Sequence, residues 1–313
     1  MTALFESEPE RNPPDESWFG YEVYRRVREA LFALPTYFRS DTSIEGMLAT
    51  DIFTLNAAFG ATIEDQVVST LNRMREVWDP DEKFTFYRFV RQPQTFPDVL
   101  LKRDASEAGA LNEEILLGIE LKSWYLLAKE GEPSFRFQVT PDACANQDLI
   151  VVIPWALNNV ISGYPKIFAP YVELAKYAAE YRNYHWQYIR QTRSQTEIVI
   201  AESISPYPQK SDKITDKPVY DGGNNFGRFA RTGIMDSYLD IAKKESLCGI
   251  AAEHWLNFFK IFQEQRDEES INAELNRLRT LVTGTDRETD QQITDALEKI
   301  VSGIDDLLYQ RQT

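Results

Sequence analysis

Three charged residues have types and a spacing suited to chemistry on a phosphate. Asp98 follows Pro97 at the start of a short apolar segment, and Glu120 and Lys122 lie two positions apart in the next one. Strand geometry places the side chains of Glu120 and Lys122 on one face of a sheet. Two carboxylates can bind Mg²⁺ and still leave positions for water and phosphate oxygens. A lysine on the same face can hold and activate the attacking water, so the trio predicts phosphodiester hydrolysis.

The segments that must position these residues alternate between helical and strand-like patterns. A helix is predicted from Thr62 to about Val77, with Thr62 as its N-cap and an apolar stripe at helical spacing. Short apolar or alternating runs predict strands at 84–90, 96–101, 115–124, 134–139, 149–153 and 196–201. Further helices are expected at 21–34, at 170–193 and beyond 234. This order indicates a mixed α/β core with helical additions.

Pro97-Asp98 and Glu120-Leu121-Lys122, with 21 residues between Asp98 and Glu120, resemble the signature of the PD-(D/E)xK nuclease superfamily. The stretch GIELKSWYLLAKEGEPSFRFQVTP looks like prokaryotic type II restriction endonucleases. The resemblance covers about 90 residues, 62–154. It implies a mixed central sheet flanked by helices, with added helical segments at both ends. It also implies Mg²⁺ as cofactor, with Asp98 and Glu120 as ligands and Lys122 beside the water.

Two more polar residues are candidates for the same site. Glu64 lies on the helix before the sheet, where many members of the superfamily carry a glutamate that faces the metal. The alternative for Glu64 is an exposed acid in the first helical turn, where a negative charge is favourable. Gln138 shares a strand face with Arg136 and would lie at the rim of the site if its strand neighbours that of Glu120. A solvated face is the alternative for Gln138.

The charge distribution bears on nucleic-acid binding. The 313 residues include 34 Lys plus Arg and 49 Asp plus Glu, a net charge of −15, which disfavours a nonspecific polycation. Residues 166–233 nevertheless hold 10 basic and 7 acidic residues, the one net-positive segment. Its glycine-rich loop offers side chains suited to base readout, and its lysines suit phosphate contacts. The DNA-binding candidates are Asn224, Asn225, Arg228, Arg231, Lys210 and Lys213. The alternative is a surface loop whose arginines pair with nearby acids.

The chain divides into three expected parts that pack as one unit. Residues 1–60 form a helical extension, 61–204 the catalytic core, and 205–313 a loop and helical region for DNA recognition or dimerisation. Two cysteines without a metal-binding spacing exclude a disulfide framework and disfavour structural zinc. The acidic N-terminus has no signal peptide pattern, and no apolar run approaches a membrane span, so a prokaryotic cytoplasmic protein is expected.

The resulting hypothesis is a Mg²⁺-dependent type II restriction endonuclease that cuts double-stranded DNA as a homodimer. A cognate DNA methyltransferase in the same system would fit, without implying a stable complex. Three alternatives stay open. The first is a structure-specific repair or recombination nuclease of the same superfamily. The second is a non-catalytic DNA-binding or protein-interaction module of the same fold, and the third is an unrelated acidic α/β protein with a chance motif.

Overall fold

The computed structural model describes residues 7–47, 51–92, 94–104, 115–190, 195–202, 204–263 and 268–281. These residues form seven α-helices: α1 Tyr21–Tyr37, α2 Leu55–Arg73, α3 Arg75–Trp78, α4 Ala175–Tyr184, α5 Asp236–Ala242, α6 Ala252–Gln263 and α7 Glu268–Leu281. The strands of the main sheet are β1 Tyr87–Arg91, β2 Val99–Arg103, β3 Ile115–Tyr125, β4 Leu149–Leu157, β5 Pro165–Ile167 and β6 Tyr171–Leu174. Two small ribbons pair β7 Ile198–Val199 with β8 Lys217–Pro218 and β9 Ser246–Leu247 with β10 Ile250–Ala251.

A mixed sheet forms the centre of the molecule, as the sequence predicts for the α/β class. Its strand order is β1-β2-β3-β4-β5. The edge of β4 that faces away from β3 pairs with β6 along its first half and with β5 along its second half. Only the β3–β4 pair is parallel, while β1–β2, β2–β3 and both partners of β4 run antiparallel. All nine residues of β4 are buried, which explains its unbroken apolar sequence.

Helix α2 covers one face of the sheet. Its apolar stripe is buried against β1 and β3, as the helical spacing predicts, and consists of Ile63, Val67, Val68, Leu71 and Met74. A β-carbon added to Gly60 would lie only 2.9 Å from Ser123 Oγ, so the helix approaches β3 closely there. The predicted start at Thr62 is wrong, because α2 begins at Leu55. Its first turns are stabilised by tertiary packing that a capping signal does not reveal.

Two other sequence-based predictions are also corrected. Residues 134–139 alternate like a strand, but they form only isolated bridges, with Arg228 and Thr215, and no strand of the main sheet. The helix predicted for 170–193 begins as strand β6, because Tyr171–Leu174 fill the free edge of β4. The helical part spans Ala175–Tyr184 and continues as a π-helical turn, His185–Ile189. Tertiary pairing thus overrides local pattern in both segments.

The N-terminal helical part belongs to the same packed body as the sheet. α1 contacts α2, α3 and β5, and α2 itself crosses the expected boundary between residues 60 and 61. Arg11 forms an ion pair with Glu173 of β6, at 2.8 Å from Nη2 to Oε2, so the segment before α1 is anchored to the sheet. Residues 282–313, part of the region expected to be helical beyond 234, lie outside the described residues. None of the described helices is long and apolar enough to cross a membrane.

Candidate active site

The start of β2 brings Asp98 against the middle of β3. The Phe96–Pro97 peptide bond is cis, and Val99 pairs with Ile119. Gly118 makes room for this approach, because an added β-carbon would lie 2.3 Å from Pro97 Cγ and 2.9 Å from Asp148 Oδ1. A glycine in the interior of a strand therefore has a packing reason here. It allows the Pro97-Asp98 corner to sit directly over the sheet.

Asp98, Glu120 and Lys122 meet in one cluster, as their spacing predicts. Lys122 Nζ lies 2.7 Å from Asp98 Oδ2 and 3.0 Å from Glu120 Oε1. The backbone N–H of Asp98 donates to Glu120 Oε2 at 3.3 Å. The side chains of Lys122 and Asp98 are about one quarter exposed, at 25% and 27%, whereas that of Glu120 is 11% exposed. The cluster thus has a buried base and an open mouth.

Among the described residues, no strand covers the β2-side edge of the second half of β3. β2 begins opposite Ile119, so the residues after Ile119 pair only with β4. The N–H groups of Leu121 and Ser123 point to this edge, since successive N–H groups alternate along a strand. Side-chain carboxylates accept the hydrogen bonds that a neighbouring strand would otherwise accept. The N–H of Leu121 donates to Asp98 Oδ2 at 3.2 Å, and the N–H of Ser123 donates to Glu64 Oε1 at 3.1 Å.

Glu64 therefore lies beside the cluster and is not the exposed first-turn acid that was the alternative. It sits in the middle of α2, with 18% of its side chain exposed, and its Oε2 lies 3.7 Å from Nη2 of Arg91. Burial raises the pKa of Glu64, although the Ser123 N–H and Lys122 oppose the change. Both oxygens of Glu64 thus have partners of their own, and neither bonds to Lys122.

Burial and charge tune the two ionisable groups at the base of the cluster. Burial raises the pKa of Glu120 to about 7, because the effect of the nearby Lys122 is smaller and Asp98 acts in the same direction as burial. For Lys122, burial is outweighed by the attraction of Glu120 and Asp98, which raise its pKa. Lys122 accordingly stays an ammonium ion at neutral pH, and Glu120 exchanges its proton in that range.

The donor set can be compared with what a magnesium ion requires. Within the described part of the chain, no three His, Cys, Asp or Glu side chains are grouped as a metal site. Asp98 and Glu120 alone supply the one or two protein carboxylates that Mg²⁺ takes together with waters and phosphate oxygens. Both contact the same ammonium, yet two carboxylates exceed its single charge by one. The pair fits a magnesium ion that keeps most of its water, with Glu64 outside the ligand pair.

Four of the six DNA-binding candidates line one of two concave surfaces. Asn225, Arg228 and Arg231 line one cavity, together with residues at the end of α4. Lys213 lines a second cavity next to β7 and β8, and Lys210 is exposed outside both linings. Asn224 contributes its backbone carbonyl, which accepts from Nη2 of Arg136 at 2.5 Å. Arg231 pairs with Glu132 at 2.8 Å, as the alternative reading of this loop expects for its arginines.

Gln138 lies next to the glycine-rich loop rather than next to Lys122. Its Nε2 donates to the carbonyl of Phe226 at 3.3 Å. The neighbours of β3 are β2 and β4, so the segment of Gln138 does not adjoin the strand of Glu120. The neighbouring Phe137 connects the segment before Asp98 to the loop region, since it packs on both Phe96 and Phe229 at ring distances of 6.0 and 6.3 Å. Gln138 thus belongs to the connection between the cluster and the loop.

Asp148 is a supporting residue that sequence reasoning missed. It is fully buried, and its carboxylate accepts from the N–H groups of Gly118 and Ala145 at 2.7 and 2.8 Å. The hydroxyl of Tyr207 donates to it at 3.1 Å. Burial raises the pKa of Asp148 to about 6 against these three hydrogen bonds. The available signal was an acid directly before the wholly apolar run of β4, where an unpartnered charge is costly.

Comparison of the chain with family models, with curated proteins and with solved structures finds no match.

Proposed function

We propose that the chain is a Mg²⁺-dependent endonuclease that hydrolyses phosphodiester bonds in double-stranded DNA. The observation that supports this most is the meeting of Asp98, Glu120 and Lys122 at an open sheet edge, within 2.7 and 3.0 Å of one ammonium nitrogen. Asp98 directly precedes β2, and Glu120 and Lys122 lie on β3 after 21 intervening residues, yet the three form one partly exposed cluster. A structural ion pair needs neither a second carboxylate nor access to solvent.

Each residue has a role that follows from its surroundings. Asp98 and Glu120 would hold the cation, which polarises a phosphoryl oxygen and lowers the pKa of bound water when present. Lys122 stays charged, so it orients the water and stabilises negative charge on the phosphate rather than accepting a proton. Glu64 holds the N–H of Ser123 and with it the course of β3 beyond Lys122.

The finer assignment to type II restriction endonucleases rests on the resemblance of the motif and of residues 118–141. Under this proposal the enzyme reads a defined sequence and acts as a C2 homodimer. Such a dimer would present one cluster to each strand of a palindromic site. The net-positive segment 166–233 supports a role in DNA contact, since its arginine-bearing loop is joined to the cluster through Phe137.

Cleavage of phage and plasmid DNA with Mg²⁺ tests the activity directly. The wild-type chain should produce discrete fragments, and sequencing their ends should reveal one common site. Asp98→Ala should abolish cleavage because it removes one carboxylate of the proposed ligand pair, while DNA binding in Ca²⁺ persists. The matched control is Asp240→Ala, an exposed acid on α5, which should cut like the wild type. Full activity of Asp98→Ala would overturn the proposal.

The same digest separates the alternatives. A structure-specific nuclease of the same superfamily would cut branched or flapped DNA and leave no fixed bands from a linear phage genome. A non-catalytic module would bind DNA with salt-dependent affinity and cut nothing with Mg²⁺ or Mn²⁺. An unrelated protein with a chance motif would show no salt-sensitive affinity for DNA at all.

A further inference from the structure

A cavity of about 430 Å³ lies between the end of α4 and the glycine-rich loop. One wall is the π-helical turn, which contributes His185 and Trp186, and Arg190 follows it directly. The opposite wall is formed by the loop and carries Asn225, Arg228 and Arg231. Its size lies within the roughly 300–1,000 Å³ of small-molecule binding sites. The residues of the proposed catalytic cluster do not line it.

Two buried donors in this cavity have no acceptor among the described residues. The indole N–H of Trp186 is one, in a side chain that belongs to a residue only 6% exposed. The Nε–H of Arg228 is the other. A buried donor without a partner is destabilising, so such groups are rare unless water or a ligand satisfies them. Indole and guanidinium groups donate only, and the missing partner must therefore bring acceptor oxygens.

The charges around the cavity favour an anion. Arg182 is neutralised by Asp216 and Arg231 by Glu132. Arg228 makes no ion pair with any residue in the described ranges, and the guanidinium of Arg190 lies over the Trp186 ring at 3.7 Å.

The single carboxylate in the lining of the cavity, that of Asp221, offsets one of these positive charges and acts on Arg190. Asp221 uses both of its oxygens on its own loop, accepting from the N–H groups of Asn225 and Phe226 at 2.8 and 3.2 Å. Burial and the charge of Arg190 lower the pKa of His185, so that ring adds no positive charge at neutral pH. With Asp221 set against Arg190, the lining keeps the positive charge of Arg228.

We propose that this cavity binds the phosphate group of a nucleotide through Trp186 and Arg228. Phosphate oxygens accept from both orphaned donors and match the net positive charge. Arg228 lies on the loop that is hydrogen-bonded to the segment of Gln138, since the N–H of Phe137 donates to the carbonyl of Gly227 at 2.7 Å. The phosphate has two possible sources, a free nucleotide or a nucleotide within DNA. Only the second source rests on the proposed nuclease function.

Tryptophan fluorescence and equilibrium dialysis test this with deoxyadenosine 5′-monophosphate as the probe, in EDTA so that no divalent cation contributes. The monophosphate should bind and change the fluorescence, and deoxyadenosine should not, because the phosphate makes the contacts. Arg228→Gln should weaken binding by about 10- to 100-fold, and Trp186→Phe should weaken it in dialysis and remove the fluorescence change. Arg277→Gln, an exposed arginine on α7, is the matched control and should bind like the wild type.

The same assays can contradict the proposal. Equal binding of nucleoside and monophosphate, or unchanged affinity in Arg228→Gln, would overturn the proposal. If Arg228→Gln does not fold by circular dichroism, Arg228→Lys replaces it, and it too should bind more weakly because it lacks Nε. Displacement of the probe by duplex DNA identifies DNA as the source, and its absence identifies a free nucleotide. Asp98→Ala should keep the probe affinity, so a failed nuclease assay and a failed pocket assay are separate results.

Discussion

Two ion clusters in this molecule, one buried and one partly exposed, use the same chemistry to different ends. Arg182 and Asp216 are 2% and 0% exposed and lie 2.5 Å apart, and all five N–H groups of Arg182 have acceptors. Lys122 faces two carboxylates, and about a quarter of its side chain and of Asp98 is open to solvent. The Arg182 cluster is balanced in charge and closed. The Lys122 cluster has two carboxylates for one ammonium and an open side.

The difference shows which features separate a structural ion pair from a site. A buried pair is tolerated when each charge is matched and each donor is satisfied, and such a pair has no capacity for a further ligand. The Lys122 cluster keeps an excess carboxylate charge at the surface, which is where a cation and a phosphate could enter. The charge balance and the exposure therefore distinguish the two better than the distances do, since both sets of contacts are short.

The largest expected effect is on cleavage by Lys122→Met. Loss of the ammonium removes the group that orients water and stabilises charge, so cleavage should fall by about 10²- to 10⁴-fold. Single-turnover digestion of a plasmid measures it. Lys129→Met, on the exposed turn after β3, is the control and should cut normally. Activity within a few-fold of wild type in Lys122→Met would show that the Lys122 cluster, like the Arg182 cluster, serves only as a structural ion pair.

Arg182→Met should instead reduce stability. It leaves Asp216 buried without a counter-charge, which costs about 3–5 kcal/mol in the free energy of unfolding. Urea denaturation followed by circular dichroism measures this. Adding Asp216→Asn to the same chain should recover part of the loss, because the unmatched charge is then gone. Lys122→Met should destabilise less, since Asp98 reaches solvent and Glu120 can take a proton. Equal losses in the two variants would contradict the comparison.

Gly118→Ala should disturb the Lys122 cluster through its support. The new methyl group would meet the rigid ring of Pro97, so the Pro97-Asp98 corner must shift or strain. Overpacking of this kind costs about 1–3 kcal/mol, and a shift of about 1 Å at a catalytic group can lower the rate by about 10²-fold. Gly46→Ala is the control, because nothing lies within 4 Å of its new β-carbon. A normal rate and normal stability in Gly118→Ala would show that the corner tolerates movement.

The smallest effect is in the magnesium requirement as a function of pH. Burial raises the pKa of Glu120 to about 7, so below that pH a proton competes with the cation for its carboxylate. The half-saturating Mg²⁺ concentration should therefore rise by about tenfold when the pH is lowered from about 8 to about 6. Cleavage rates in Mg²⁺ titrations at each pH measure it. A requirement that does not change with pH would remove Glu120 from the ligand pair.

The sequence predicts the Lys122 cluster better than the arginine-lined cavity, and the reason is locality. Glu120 and Lys122 share a strand, and their alternation in an apolar run is visible without a structure. The cavity is built from the end of α4 and a loop some 40 residues later in the chain, and its defining feature is a pair of missing acceptors. A missing partner is a property of the folded surroundings. Residue type alone makes Arg228 a binding candidate, whereas the unpartnered indole N–H of Trp186 is visible only in the folded chain.

The amino-acid sequence by itself determined the α/β class, the wholly buried strand β4, the apolar stripe of α2 and the trio of Asp98, Glu120 and Lys122. These follow from local periodicity and from the cost of charges in apolar strands. Only the tertiary structure decided that Tyr171–Leu174 is a strand and that 134–139 is not. It also decided that the carboxylate of Glu64 accepts from the backbone N–H of Ser123 and not from the ammonium of Lys122. Edge pairing, the close approach of segments and burial depend on residues distant in the chain, so the local sequence pattern does not predict them.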